Sequence, residues 1–345
     1  MLNLNIIGID LAKSSFQVAT LSPEHQVLNN RSMSRARLEQ WLAKQKPSIV
    51  AVEACGSAHY WGRFAESFGH SVMIIAPKTV TPYRQGHKTD SNDALAIAIA
   101  ARQPSTRSAA VKSVEQHALQ SIERMRQHWL DHNRSTSNMM RSLLYEFGIT
   151  IAKGNTALIR IMPELLDGSS ELLPQAFKAQ LSKVYQQWQR GRDELKQIEN
   201  QLSELIKQQS PCKRLMKLEG VGEVNALALY LILGERGEGF KNGREAAACI
   251  GVTPKQFSTG GVTSLGGIGK RIGHKRLRAN LIQGALAVAM QLGRRPPKTL
   301  KEKWLLAIIE RRGLRRAAVA LVNKTIRTAW AMLHRDQDYQ QPQAI

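Results

Sequence analysis

The sequence predicts an α/β domain followed by two helical regions, and three observations carry that expectation. Short apolar runs alternate with helical stretches over the first third of the 345 residues. Apolar side chains recur at heptad spacing in the middle, and amphipathic helices punctuated by glycine fill the remainder. At about 100–200 residues per domain this length suits two or three domains. Changes of character place them at 1–110, 111–210 and 211–345.

Ile6-Ile7-Gly8-Ile9 reads as a short buried strand, Phe16–Leu21 as a second with period-two character, and Val27–Arg31 as a third. A helix over Leu38–Lys44 stops before Pro47, and Ile49-Val50-Ala51-Val52 is a further apolar strand. Helix over Tyr60–Phe68, strand over Val72–Ile75 and helix over Ser91–Ala101 complete the set. Three opening strands followed by helix–strand alternation predict a mixed sheet covered by helices.

In the middle third, Ile122, Met125, Trp129, His132, Met139, Leu143 and Glu146 fall on a mostly apolar 3–4 spacing. Leu181, Trp188, Leu195 and Leu202 repeat every seven residues, with Val184, Ile198 and Leu205 between them and Gly191 breaking the seam. Two long antiparallel helices forming a coiled-coil arm fit this pattern, as does a plain helical subdomain. Residues 148–170 read as a connector with some helix. In the last third, Leu218-Glu219-Gly220-Val221-Gly222 before an apolar Val224–Leu233 has the form of a helix-hairpin-helix. There Gly220 and Gly222 would offer backbone N–H groups to a DNA phosphate. Glycine-rich residues 251–269 read as loop, and helices resume over Arg276–Leu292, Leu300–Arg312 and Arg316–His334.

Composition narrows the function. A hydrophobic share of 43% with 22% charged residues excludes a largely disordered chain. The net charge is +22, and residues 211–345 hold 24 basic against 9 acidic residues. Such a block implies a polyanionic partner, nucleic acid first, bound more weakly as salt rises. Cys55, Cys212 and Cys249 form no C-x-x-C pair, which excludes a disulfide scaffold or cysteine zinc site. No apolar run approaches the roughly 20 residues of a membrane span, and Met1–Asn5 lacks the basic start of a signal peptide. A cytoplasmic protein without membrane contact is the expectation.

The acids in this basic chain stand in awkward places. Asp10 directly follows one apolar strand and Glu53 another, where desolvation is costly without a compensating cation or donor. Ligands of open α/β sheets collect at the carboxyl ends of strands. Asp90 and Asp93, three apart at a helix start, share one face; capping and the helix dipole account for them equally well. Four converging carboxylates would make a site for one or two Mg²⁺ ions able to clamp both oxygens of a phosphoryl displacement. His59 and His87 flank these acids without a clear ligand role, and Trp304 and Trp330 read as core.

Gly8-Ile9-Asp10-Leu11-Ala12-Lys13, Val52-Glu53-Ala54-Cys55-Gly56 and Lys88-Thr89-Asp90-Ser91-Asn92-Asp93-Ala94 resemble the Asp-Glu-Asp-Asp motifs of the IS110 insertion-sequence transposases, its IS1111 branch above all. Gly251-Val252-Thr253-Pro254-Lys255-Gln256-Phe257-Ser258-Thr259-Gly260-Gly261 is similar to that family's second motif. Ile268-Gly269-Lys270-Arg271, Leu277-Arg278 and Leu281-Ile282-Gln283-Gly284-Ala285 continue it. Ile272 as an extra residue, and Val262 where lysine is common, depart from the pattern.

The resemblance implies an RNase H-like, RuvC-type N-terminal domain whose four acids hold Mg²⁺ or Mn²⁺, and a helical transposase domain at the other end. It implies that Ser258, or Thr259 beside it, attacks the scissile phosphate and forms a covalent protein–DNA link. Lys270, Arg271, Lys275, Arg276 and Arg278 would hold phosphates or offset developing negative charge. It also implies double-stranded element and target DNA as substrates, a guide RNA encoded by the element, and a bacterial, nucleoid-associated setting. In RNA-guided systems the protein reads backbone shape and the RNA reads sequence. Asp93 and Ser258 lie about 165 residues apart, and the family's composite site, shared between subunits, implies a dimer or tetramer.

Two rivals make different predictions. A metal-dependent junction resolvase or nuclease using water keeps cleavage in Ser258→Ala and loses it in Asp10→Ala. A non-catalytic helix-hairpin-helix DNA-binding protein tolerates Asp10→Asn and Glu53→Gln. A phosphate-transferring kinase is disfavoured because Leu11-Ala12-Lys13 stand where its phosphate loop wants Gly and Thr or Ser.

Overall fold

The computed structural model describes residues 4–168, 171–269 and 274–340. They divide into two compact units: the chain up to Glu115 together with that from Arg214 onward, and Gln116–Lys213. The first unit opens on β1 (Ile6–Asp10), β2 (Ser15–Leu21), β3 (Val27–Ser34), α1 (Arg35–Ala43), β4 (Ile49–Glu53), α2 (Ala58–Ser67), β5 (Ser71–Ile75), α3 (Pro77–Val80), α4 (Asp90–Arg102) and the short β6 (Ser108–Ala109). The strands form one six-stranded sheet in the order β3-β2-β1-β4-β5-β6. Its β1–β2 and β2–β3 pairs are antiparallel, and β1–β4 and β4–β5 are parallel. The mixed sheet with helices is therefore the observed architecture, with every strand and helix expected before residue 102 present.

Because side chains alternate across a strand, each central strand feeds two cores. Ile7, Ile9, Val50 and Val52 pack with Leu38, Leu42, Trp61 and Ala65 of α1 and α2. Ile6, Ile49 and Ala51 face the other way, against Ala96, Ile97 and Ala100 of α4. Each fully buried aliphatic side chain contributes about 1.5–3 kcal/mol relative to exposure. Gly8 shares the α4 face, and α4 lies so close that a Cβ at Gly8 would meet the Ala94 carbonyl oxygen and stand 2.6 Å from the Ala98 nitrogen. Gly8→Ala should accordingly lower stability by about 1–3 kcal/mol through overpacking. Chemical denaturation checks this, and an unchanged midpoint would contradict the close approach.

The second unit contains most of α5 (Val114–Tyr145), α6 (Asn155–Leu166) and most of α7 (Gln175–Gln208). Cross-helix contacts run Arg126 to Glu199, with an N–O distance of 3.0 Å, and Asn133 to Gly191, so α5 and α7 lie antiparallel. On α7, Leu181, Trp188, Gly191 and Leu202 are buried as the heptad reading expects. The stripe expected on α5 is displaced. Its buried positions include Leu119, Asn133, Ser137, Met140 and Leu144, whereas Met125, Met139 and Leu143 are exposed. Polar pairing causes the shift: Asn133 Nδ2 donates to the Gly191 carbonyl at 2.8 Å, and Trp188 Nε1 donates to the Asn133 carbonyl at 3.1 Å. A Cβ at Gly191 would lie 2.5 Å from Asn133 Oδ1, so the glycine that interrupts the seam admits the asparagine. The supposed connector contains α6.

After α8 (Ser210–Leu215), which crosses the division between units, come α9 (Glu223–Leu233), α10 (Gly243–Ile250), β7 (Pro254–Thr259), β8 (Val262–Ile268), α11 (Lys275–Leu292), α12 (Leu300–Arg312) and α13 (Leu314–Arg335). Helices α10, α11 and α12 all pack on α13. Residues 254–268, expected as loop, form an antiparallel hairpin. Gly260 and Gly261, with φ of +56° and +81°, close it in the two-residue turn that matches strand twist. The hairpin left no mark in the apolar pattern because its residues from Pro254 to Gly267 are all exposed, and a strand without a buried face shows no alternation. Among the described residues, no helix is long and apolar enough to cross a membrane.

Candidate active site

The pairing of β1 with β4 sets Gly8 beside Ala51 and Ile9 beside Val52, which leaves Asp10 next to Glu53 at the carboxyl ends of two parallel strands. By strand alternation both carboxylates project to the α4 side, where α4 begins at Asp90. The α4 start is held firmly. Thr89 caps it by accepting from the Asn92 amide, Asn92 Nδ2 donates to the His87 carbonyl at 2.8 Å, and Asn30 Nδ2 donates to Ser91 Oγ at 2.8 Å. Asp93 is half-buried and ion-paired to Arg84 Nη1 at 3.1 Å, while Asp90 is exposed.

The charges act on one another. Burial, then the charges of Asp93 and Asp90, raise the Asp10 carboxyl above its ordinary range, opposed by Lys88. Glu53 is raised by burial, then by Asp10 and Asp93, against Lys88 and Arg84. Asp10, Glu53, Asp90 and Asp93 thus constitute one electrostatic group. An all-carboxylate donor set suits Mg²⁺ or Mn²⁺, and the repulsion within it is what a cation relieves. Among the described residues no three His, Cys, Asp or Glu side chains already stand at ligand spacing. Arg84 is the cation that Asp93 has.

Ser258 and Thr259 lie on β7, paired with Thr263 and Val262 of β8. Being adjacent on a strand, they point to opposite faces. Ser258 Oγ has one hydrogen-bond partner among the described residues, Thr263 Oγ1 at 3.4 Å. Phe257, Val262 and Leu265 are 59%, 72% and 70% exposed, an unusual apolar display for a free hairpin. Arg278 reaches back from α11 to donate to the carbonyls of Gly251 and Gly269, tying together the two ends of the hairpin segment. Its guanidinium therefore has a structural partner. Lys275 and Arg276 are exposed at the start of α11, and Lys270 and Arg271 lie outside the described residues. Gly220, with φ of +75°, meets α11 closely: a Cβ there would lie 2.8 Å from the Gly284 carbonyl carbon. Gly222 is exposed at the N-terminus of α9, with no neighbour within 4 Å of an added Cβ.

Two family models match the chain: the IS110 DEDD transposase model over residues 7–149, and the model described as transposase IS116/IS110/IS902 family over residues 212–300. The chain belongs to the IS110 family of insertion-sequence transposases. A probable family 20 transposase of Pseudomonas aeruginosa is 37% identical over 98% of this chain and 99% of its own. The transposase for insertion sequence element IS1111A of Coxiella burnetii is 34% identical over 98% and 92%. Among solved structures, T. thermophilus RuvC in complex with a Holliday junction substrate aligns at 15% identity over 30% of this chain and 99% of that one, with a TM-score of 0.24.

Several functional neighbours in this transposase escaped the sequence reading. Arg84, paired with Asp93, had no mark in the sequence, and Lys88, which opens the third acidic motif, had no role assigned there although its charge opposes the rise at Asp10. Asn30, from the antiparallel side of the sheet, positions the first turn of α4 through Ser91. Of the histidines, His59 faces Lys112, whose amide donates to His59 Nδ1 at 3.2 Å. His274 stands at the N-terminal cap position of α11, and burial, with Lys112 and Lys78, lowers its pKa. Trp330 Nε1 donates to the carbonyls of Gly237 and Phe240, a packing role as expected.

Proposed function

We propose that this transposase cuts and rejoins element and target DNA with a divalent metal held by Asp10, Glu53, Asp90 and Asp93 and with Ser258 as nucleophile. The N-terminal domain is then of the RNase H-like, RuvC type. The carrying observation is the placement of Asp10 and Glu53 side by side at two parallel strand ends, facing the helix that supplies Asp93. A bound Mg²⁺ or Mn²⁺ would supply charge stabilisation at the phosphate. In the group transfer, Ser258 Oγ bonds to phosphorus and gives its proton to an acceptor, while the bond from phosphorus to one deoxyribose oxygen breaks and that oxygen leaves with the electron pair and takes up a proton to become a free hydroxyl. A second deoxyribose hydroxyl later gives up its proton and displaces Ser258 Oγ, which is reprotonated as the diester is restored. Lys275 and Arg276, exposed beside the hairpin segment, suit the phosphates. Gly222, exposed at the start of α9, suits a backbone phosphate contact of helix-hairpin-helix type.

Thr263, the hydrogen-bond partner of Ser258, is no general base, and in this reading the proton acceptor is supplied by another element. We infer that the hairpin of one copy docks at the carboxylates of another, which also covers Phe257, Val262 and Leu265. The antiparallel α5 and α7 would serve as the coiled-coil arm of that oligomer, and an element-encoded RNA would supply sequence choice. The test incubates the full chain with DNA of its own element, the RNA transcribed from that element and Mg²⁺, followed by denaturing electrophoresis. A protein–DNA adduct that survives detergent is the expected result. Cut DNA without an adduct favours the water-using nuclease.

A further inference from the structure

A concavity of about 1400 Å³ lies in the C-terminal helices, away from the carboxylates and beside the hairpin base. Five cations line it: Arg244 at the start of α10, and Arg315, Arg316, Lys324 and Arg327 along α13. No Asp or Glu is in the lining. Among the described residues none of the five is ion-paired, although ion pairs elsewhere engage Arg84, Arg107, Arg126 and Arg295. Uncompensated cations in a concave, low-dielectric wall focus a positive potential and concentrate polyanions.

The floor and walls say more. Arg316, Ala320, Asn323 and Arg327 follow a helical 4-3-4 spacing, so one face of α13 sets two arginines at the ends of a strip with Ala320 and Asn323 between them. Asn323 Nδ2 donates to the Val252 carbonyl at 3.4 Å, which fixes the strip against the segment leading into β7. Trp304, expected from sequence to be core, is half-buried in the wall, with Lys324 Nζ 4.6 Å from its ring centroid. Cations beside an aromatic ring are the arrangement that takes a single nucleic-acid strand, with phosphates on the arginines and a base against the ring in place of the Lys324 ammonium or on the ring's other face. Small-ligand sites run to about 300–1,000 Å³, so this volume suits a polymer segment better than one small molecule.

We propose that this groove holds a single strand of nucleic acid, DNA or RNA, and guides it past the hairpin that carries Ser258. The inference rests on the proposed function for its substrate class. Fluorescence anisotropy of the full chain with labelled oligo-dT, oligo-U and a duplex of equal length, over a salt series, tests it. In Arg316→Ala/Arg327→Ala, single-strand affinity should fall about tenfold or more, and the salt slope should shrink by about 1.4, at about 0.7 for each phosphate left without its cation. A charge-matched Arg311→Ala/Arg312→Ala control, outside the groove, should lose markedly less. Loss for oligo-dT alone assigns the groove to DNA, and loss for oligo-U alone to RNA; either supports it. Equal loss in the control, an unchanged affinity, or an effect confined to duplex overturns it. Intact binding with no cleavage or adduct counts against the proposed chemistry and leaves the groove standing.

Discussion

Asp10→Asn is expected to reduce DNA strand cleavage by about 10³-fold, equivalent to several kcal/mol of lost transition-state stabilisation, while raising the melting temperature of the apo protein. The two effects share one cause. In the folded chain burial and the charges of Asp93 and Asp90 push the Asp10 carboxyl upward. An acid raised on folding contributes stability that is full below its unfolded pKa and lost as pH rises through its folded value. At neutral pH Asp10 and Glu53 are therefore ionised at a cost, and the amide removes that cost on one of them. Metal binding removes it differently, by mass action on the native state. Scanning fluorimetry at pH 7.5 should show Asp10→Asn melting a few degrees above wild type without metal. Saturating Mg²⁺ should raise the wild type and have a smaller effect on the variant. A variant that melts lower than wild type, or gains as much from Mg²⁺, would show that the carboxylates do not share one site.

The same residues show what was legible before the structure. Asp10 and Glu53 stood out because an ionisable group at the end of an apolar run contradicts the pattern around it, and strand ends are where such contradictions gather. Their proximity to Asp93 was not legible from spacing. It depends on Gly8, whose missing side chain lets α4 lie on β1, and on Asn30 reaching α4 from β3. Both are long-range consequences of sheet order. The α5 stripe was misplaced for a related reason: periodicity registers apolar residues, whereas Asn133 is buried by a hydrogen bond to a carbonyl on α7. In residues 254–268 the glycines announced flexibility, and only the pairing of Thr259 with Val262 turns Gly260-Gly261 into a tight turn.

Ser258→Ala should abolish the covalent protein–DNA adduct outright, because no oxygen remains to bond phosphorus, while Thr259→Ala should retain it. The resemblance leaves these neighbours as rivals, and the strand places their side chains on opposite faces. Side chains at adjacent strand positions point to opposite faces, so a phosphate reached by Ser258 Oγ is out of reach of Thr259 without turning the hairpin over. Ser258 shares its face with its partner Thr263, whereas Thr259 shares the other with Val262 and Phe257. Phe257 and Val262 suit the Thr259 face to packing against a second copy, while the Ser258 face sets the hydroxyls of Ser258 and Thr263 beside Gln256 and the exposed Leu265. Thr259→Ala removes only a methyl and a hydroxyl from the packing face, so a modest loss of rate with the adduct preserved is expected. Adduct formation and strand joining, read on the same denaturing gel, separate three cases. An adduct lost only in Thr259→Ala transfers the nucleophile to Thr259. Strand cleavage that persists in Ser258→Ala, with no adduct in any variant, means that water attacks. Loss of adduct and joining together in Ser258→Ala, with the melting temperature unchanged, leaves the serine as the atom that breaks the DNA strand.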